Sequence, residues 1–281
     1  MNFTDNSLSN TFLSDEDIMK VCPYAMKTTP TNPSVSDRYV QATTIDVIHD
    51  MRKLGWYPVQ AKQCRSKKNS SGIRSFHMIA FQNPDIKVMN DDEIEAYPRI
   101  ILTNSHDGFA SFKFMCGLYR IICSNGLVIA TEEFANMSIR HINYNFDELR
   151  TLVSETIEKL PNQIDCINKM KKIELKEEDI KDFAVQAIKL RKGFKADDNV
   201  TINPDTIADV LTPTRIQDWG CNLWTVYNVI QEKIIKGDFV YGDNKTKKTR
   251  KVRGITSITK DINLNTSLFQ IANNYAYQYN C

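Results

Sequence analysis

The stretch YPRIILTNSHDGFASFKFMCGLYRIICSNGLVIA, residues 97–130, decides the fold class. RIILTN (99–104) is β-branched and aliphatic and reads as a strand. Ser105-His106-Asp107-Gly108 reads as a tight turn, because Asp and Gly tolerate the backbone angles a turn needs. FASFKFMCGLYRIICS (109–124) is a second long strand, with Gly117 as a bend. Asn125-Gly126, between RIICS and LVIAT, is the strongest hairpin signal in the chain. A type I′ turn needs positive φ at both central residues, which Asn and Gly accept. Strands that follow one another through short turns pair antiparallel, so a doubly wound fold is disfavoured.

Upstream, WYPVQAKQCR (56–65) and IRSFHMIAF (73–81) form a predicted hairpin across the polar turn 66–72. DDEIEAY (91–97) reads as an acidic connector. TTIDVIHDMRKL (43–54) is a predicted helix with Val47, Ile48, Met51 and Leu54 on one face. Thr43 or Thr44 caps it, and Gly55 ends it. Residues 1–38 carry Pro23, Pro30 and Pro33 among Thr and Ser, and read as an extended leader.

From residue 146 the period changes to that of helices. FDELRTLVSETIEKL places Leu149, Leu152, Val153, Ile157 and Leu160 on one face, with Pro161 kinking or restarting it. Two further helices close at Gly193 and Gly237. Residues 238–262 read as a basic loop, and 263–281 as a C-terminal segment with a short helix. The expected architecture is α+β: a mostly antiparallel sheet in 56–131, one helix before it, and a helical half in 146–236. Residues 39–281 are expected to form a single domain.

Lys+Arg number 36 and Asp+Glu 34, a net charge of +2. This excludes a polyelectrolyte that coats duplex by bulk charge, and an acidic DNA mimic. A nucleic-acid role has to come from local clustering. There is no run of apolar residues long enough to span a membrane, and no basic, apolar signal peptide, so a cytoplasmic location is expected. The seven cysteines form no C-x-x-C pair and are expected to be free, buried thiols. Neither G-x-x-x-x-G-K-[ST] nor G-x-G-x-x-G is present, so ATP- or NAD-driven chemistry is not expected, nor any cofactor.

Two basic clusters make the best case for binding. One holds Lys62, Arg65, Lys67, Lys68 and Arg74, near Trp56, Tyr57 and Phe76. The other holds Lys245, Lys247, Lys248, Arg250, Lys251 and Arg253, near Phe239 and Tyr241. Cations neutralise phosphates and aromatic faces stack bases, which is how single strands are held without sequence choice. The alternative is a pair of solvated basic loops. His77, His106 and Asp107 could form a mixed His/carboxylate metal site, but turn-fixing roles for Asn104 and Asp107 are commoner. Cys123, at a hairpin tip near Arg120, is either a reactive thiol or a buried strand-end residue.

The N-S-H-D-G turn, the Gly-aromatic-Arg that follows and the C-S-N-G-L hairpin resemble the domain-of-unknown-function family numbered 932. SDRYVQATTIDVIHDMRKLGWYPVQAKQCR upstream and NLWTVYNVIQEKIIKGDF downstream fit it too, so the resemblance covers about 35 to 275. It implies a protein of bacteriophages, plasmids and related mobile elements, acting in the bacterial host cytoplasm. The element order is similar to that of single-strand annealing proteins, which implies a homo-oligomer that binds single-stranded DNA without ATP or metal. Asn104, Asp107 and Gly108 would then fix the strand-to-strand turn, with His106 in the same motif, and Asn125 and Gly126 the hairpin. Arg120 would be a buried charge paired with Asp107 or a phosphate contact. The competing expectations are an interaction protein that targets a host factor, and a metal-dependent nuclease.

Overall fold

The computed structural model describes residues 12–28, 43–64, 75–90, 93–106, 113–120, 126–127, 146–195, 198–242 and 249–279, and every count refers to these. The chain divides into two compact units, Met1–Leu160 and Pro161–Cys281. It is α+β, as consecutive strands followed by helical periodicity imply.

The first unit holds helices α1 (Asp15–Val21) and α2 (Thr44–Lys53) and six strands: β1 (Tyr57–Gln63), β2 (His77–Gln82), β3 (Val88–Asn90), β4 (Glu93–Asn104), β5 (Lys113–Arg120) and β6 (Gly126–Leu127). Helix α3 (Phe146–Lys172) begins in it. The sheet order is β1-β2-β4-β5-β6, with β3 pairing β4, and every pairing is antiparallel. Register puts Ala61, Ile79, Leu102 and Phe114 in one cross-strand row, and Phe81 and Ile100 in the next row of the same face. Against that face pack Ile18 and Cys22, then Val47, Ile48 and Met51 of α2, then Leu149, Leu152 and Val153 of α3. The period-two face of the sheet and the 3.6-period stripe of α2 thus meet in one apolar core.

The second unit holds the rest of α3 and helices α4 (Glu177–Lys192), α5 (Pro204–Leu211), α6 (Leu223–Lys236) and α7 (Ile258–Tyr279). A small hairpin, β7 (Val240–Gly242) and β8 (Thr249–Lys251), lies between α6 and α7. Helix α6 is buried almost all round, from Leu223 to Ile234. Its Tyr227 meets Phe269 of α7 edge-on at 5.8 Å and Phe183 of α4 at 6.4 Å. The end of α7 is tied to α4 by Tyr275 Oη donating to Asp182 at 2.6 Å and by Tyr279 donating to Asp179.

Several sequence expectations are revised. The leader is not extended throughout: Ser14 and Asp17 form a capping box that starts α1, and Ile18, Cys22 and Ala25 are fully buried. From Glu93 onward the expected acidic connector belongs to strand β4, and residues 91–92 lie outside the described residues. Pro98 falls between the β3 ladder, ending at Ala96, and the β2 ladder, starting at Arg99, where a missing N–H costs least. Of the expected Asn125-Gly126 turn, Gly126 lies in β6, pairing with Tyr119 while Leu127 pairs with Leu118, and Asn125 lies outside the described residues. The basic loop 238–262 contains a hairpin and the start of α7, a 22-residue helix rather than a short one. Helix α5 was legible but unread: Asn203 caps it and Pro204 opens it. No helix of the described residues is long and apolar enough to cross a membrane.

Gly237 ends α6 at φ 72°, and a Cβ there would lie 2.3 Å from the Arg253 carbonyl carbon. Gly193 ends α4 at φ 79° with open space around it. Gly193→Ala should therefore cost only about 1 kcal/mol, the left-handed backbone penalty. Gly237→Ala should cost at least roughly 2 kcal/mol more, from backbone overlap. Urea denaturation of the two variants checks the difference.

Candidate nucleic-acid interface and a buried histidine cluster

Asn104, Ser105 and His106, the described residues of the turn motif, gather with Thr44, Ser75 and His77 in the first unit. Thr43 caps α2, leaving the Thr44 hydroxyl to face the sheet. His77 and Asn104 pair across β2 and β4, on the same face as Ile79 and Leu102. His77 Nδ1 lies 2.7 Å from the Ser75 carbonyl, which only accepts, so Nδ1 carries the proton. Thr44 Oγ1 then donates to His77 Nε2 at 2.7 Å and accepts from Asn104 Nδ2 at 2.9 Å. Asn104 Oδ1 takes the Ser105 N–H at 2.7 Å, and Ser75 Oγ takes the His106 N–H at 2.7 Å. The two imidazoles stack with centroids 5.0 Å apart. All six of these residues are buried.

This arrangement is a polar pin between helix and sheet. Both ring nitrogens of His77 are engaged in hydrogen bonds, so the ring has no lone pair left for a metal. Among the described residues no three His, Cys, Asp or Glu side chains gather as a metal-holding group. Asp107 and Gly108 lie outside the described residues, as do Asn125 and Cys123. Arg120 ends β5 opposite Ala96. Sequence reasoning treated Thr44 as a possible cap and passed over Ser75. Only the fold reveals the pair as partners of the histidines.

The described cysteines are free, but not uniformly buried. Burial pushes the Cys22 and Cys116 thiols up to about 12. Cys221 is exposed and donates to Glu174 at 2.8 Å, which raises its pKa. A hollow of about 160 Å³ in the second unit is lined by Leu190, Arg191, Ile255, Lys260 and Leu264. That is about half the smallest usual ligand pocket.

The basic clusters lie in separate units. Lys62 is exposed on β1; Arg65, Lys67, Lys68 and Arg74 are outside the described residues. Two of the aromatics expected to line the clusters are unavailable for stacking, because Trp56 and Phe239 are buried in the apolar interior. Tyr57 is stacked on Phe12 at 4.7 Å. In the second unit Arg250 and Lys251 are exposed on β8, with Arg253 exposed just beyond it; Lys245, Lys247 and Lys248 are outside the described residues. Tyr241 pairs with Arg250 across the hairpin, and Lys192 Nζ sits 4.0 Å over its ring, a cation–π contact absent from the sequence reading. Residues 236–253 hold seven cations against Asp238 and Asp243, a local +5 in a chain of net +2. Asp238 is matched to Lys251 at 3.1 Å, and that cation holds its carboxyl below the usual range. The hairpin is anchored from behind by Arg191, which donates to the Ile234 and Arg253 carbonyls.

The family model described as "Domain of unknown function (DUF932)" matches residues 33–269. Two proteins of Escherichia coli (strain K12) are similar along nearly their whole length. The "UPF0380 protein YafZ" is 28% identical over 270 residues, and the "UPF0380 protein YfjQ" is 27% identical over 266 residues. Each alignment covers 92% of this chain and 90% of the relative. No solved structure gives a significant match.

Removing the Thr44 hydroxyl leaves the His77 Nε2 and the Asn104 amide without their buried partner. Thr44→Val should cost about 3 kcal/mol, whereas Thr44→Ser should cost about 1 kcal/mol, for one lost methyl. Chemical denaturation distinguishes the two, and equal losses would show that the hydroxyl contributes nothing.

Proposed function

The chain belongs to the DUF932 family, and from that premise we propose that it binds single-stranded DNA along the basic hairpin β7–β8. The single observation that carries this reading is the concentration of charge. Seven of the chain's cations fall within residues 236–253, and the ones described on β8 are exposed. Asp238 offsets Lys251 and Glu232 offsets Lys236, leaving Arg250 and Arg253 with Lys245, Lys247 and Lys248 in sequence beside them. Phosphates brought to such a cluster release their condensed counterions, which is favourable at low salt and fades as salt rises. Tyr241, with Lys192 on its face, adds an aromatic–cation pair of the kind that lies against a single strand.

Binding by charge and stacking needs neither nucleotide hydrolysis nor base-specific hydrogen bonds. The chain carries no P-loop motif, which is compatible with ATP-independent handling of DNA strands. Annealing of complementary strands by a multimer of this chain is the activity to which the reading extends.

Anisotropy of a labelled single-stranded oligonucleotide tests it. Wild type should bind at low salt, with a log–log salt slope of about 0.7 per phosphate contacted. Alanine at Lys247, Lys248, Arg250 and Lys251 together should weaken binding at least roughly tenfold and flatten that slope, with no change in the denaturation midpoint. Absence of wild-type binding at low salt overturns the proposal. Light scattering with and without the oligonucleotide reports any multimer.

A further inference from the structure

Trp219 stands out among the chain's three tryptophans. Trp56 and Trp224 are 0% and 4% exposed, while Trp219 is 72% exposed. It follows the short 3-10 turn Ile216–Asp218, between α5 and α6, and so belongs to the second unit. A large aromatic surface left in water is unfavourable, and a flexible loop would let it fold back. Here it is held out. The Arg215 guanidinium donates to Glu232 at 2.5 and 2.6 Å and to Asp218 at 2.8 Å. Trp219 N–H bonds to the Ile216 carbonyl at 3.1 Å. Asp218 and Glu232 are buried and matched to cations, so they lock the turn instead of presenting free negative charge beside the indole.

The same lock leads to the basic hairpin. Glu232 also accepts from Lys236 at 2.7 Å, in the last turn of α6 and one residue before Gly237. Asp209 of α5 accepts the Val240 N–H of β7 at 2.7 Å. The run Asp218–Arg215–Glu232–Lys236 therefore joins the residue before Trp219 to the point where the cationic hairpin leaves α6, through contacts of 2.8 Å or less.

We propose that Trp219 is the base-stacking platform of the single-strand site, with its indole taking a nucleobase while the exposed Arg250 and Arg253, on and just beyond β8, take the adjoining phosphates. The proposal rests on the hairpin reading above and adds to it the residue that tells a single strand from a duplex. Only unpaired bases offer a free π-face, so the aromatic supplies what charge alone does not. Arg215 is a positioning residue, acting through the turn it holds.

The burial of the other two tryptophans makes Trp219 its own reporter. Full-length protein titrated with oligothymidylate at low salt should lose tryptophan emission as bases stack. Trp219→Ala should bind roughly 5- to 100-fold more weakly at fixed salt, with the salt slope unchanged. Trp219→Phe should recover most of that loss. Normal affinity of Trp219→Ala together with unquenched wild-type emission overturns the stacking role while leaving the hairpin reading intact. No binding by wild type removes both. Dissociation of a multimer by Trp219→Ala with unaltered DNA affinity would assign the residue to self-association, which also overturns the proposal.

Discussion

The hydrogen-bonded run from Asn104 through Thr44 to His77 is the constraint on which the first unit depends. An amphipathic helix on a sheet has no preferred position along its axis from apolar contact alone, because burial is non-directional. Directional bonds from the first turn of α2 to facing residues of β2 and β4 select one position. Val47, Ile48 and Met51 of the same helix share one apolar cluster with Ile79 and Leu102. The pin is effective because it is dry: each donor and acceptor in it would carry a large desolvation cost if its partner were displaced. His77 is thereby engaged through both ring nitrogens in holding helix to sheet.

The second unit solves a different problem. Helix α6 is buried on nearly every side, so aromatic packing through Phe183, Tyr227 and Phe269 supplies its core. What projects from that core is held rigidly: the hairpin by Arg191 and the Trp219 turn by Arg215. Both arginines act from behind the surface they support, with their charges turned toward carbonyls or carboxylates. The exposed cations and the exposed indole are in this way presented on fixed supports.

Much of the fold was legible in the sequence. The helix at 44–53, the β1–β2 hairpin and the helices ending at Gly193 and Gly237 follow from periodicity and end signals, which are local. The failures also have a local cause. Asn125-Gly126 is a strong turn signal, yet Gly126 is placed in β6 by its pairing with β5, a choice of register that neighbouring residues do not make. Glu93 to Tyr97 look like a polar connector because strand character there comes from pairing with β3 and β5 and not from propensity. The candidate site was half legible. A run of Lys and Arg reads directly as charge, but whether an aromatic near it is available does not, as buried Phe239 and exposed Trp219 show.

By itself, the sequence determined the fold class, the family resemblance and the position of the positive charge, because each is carried by residues close together along the chain. Tertiary structure alone decided that both ring nitrogens of His77 are hydrogen-bonded, that Thr44 is its partner and that Trp219 is the tryptophan left in water. Those outcomes depend on contacts between residues as far apart as Thr44 and Asn104, or Arg215 and Glu232, and on which surfaces remain once the cores are filled. A side chain's chemistry is written in its own residue, but its burial and its partners belong to the rest of the chain.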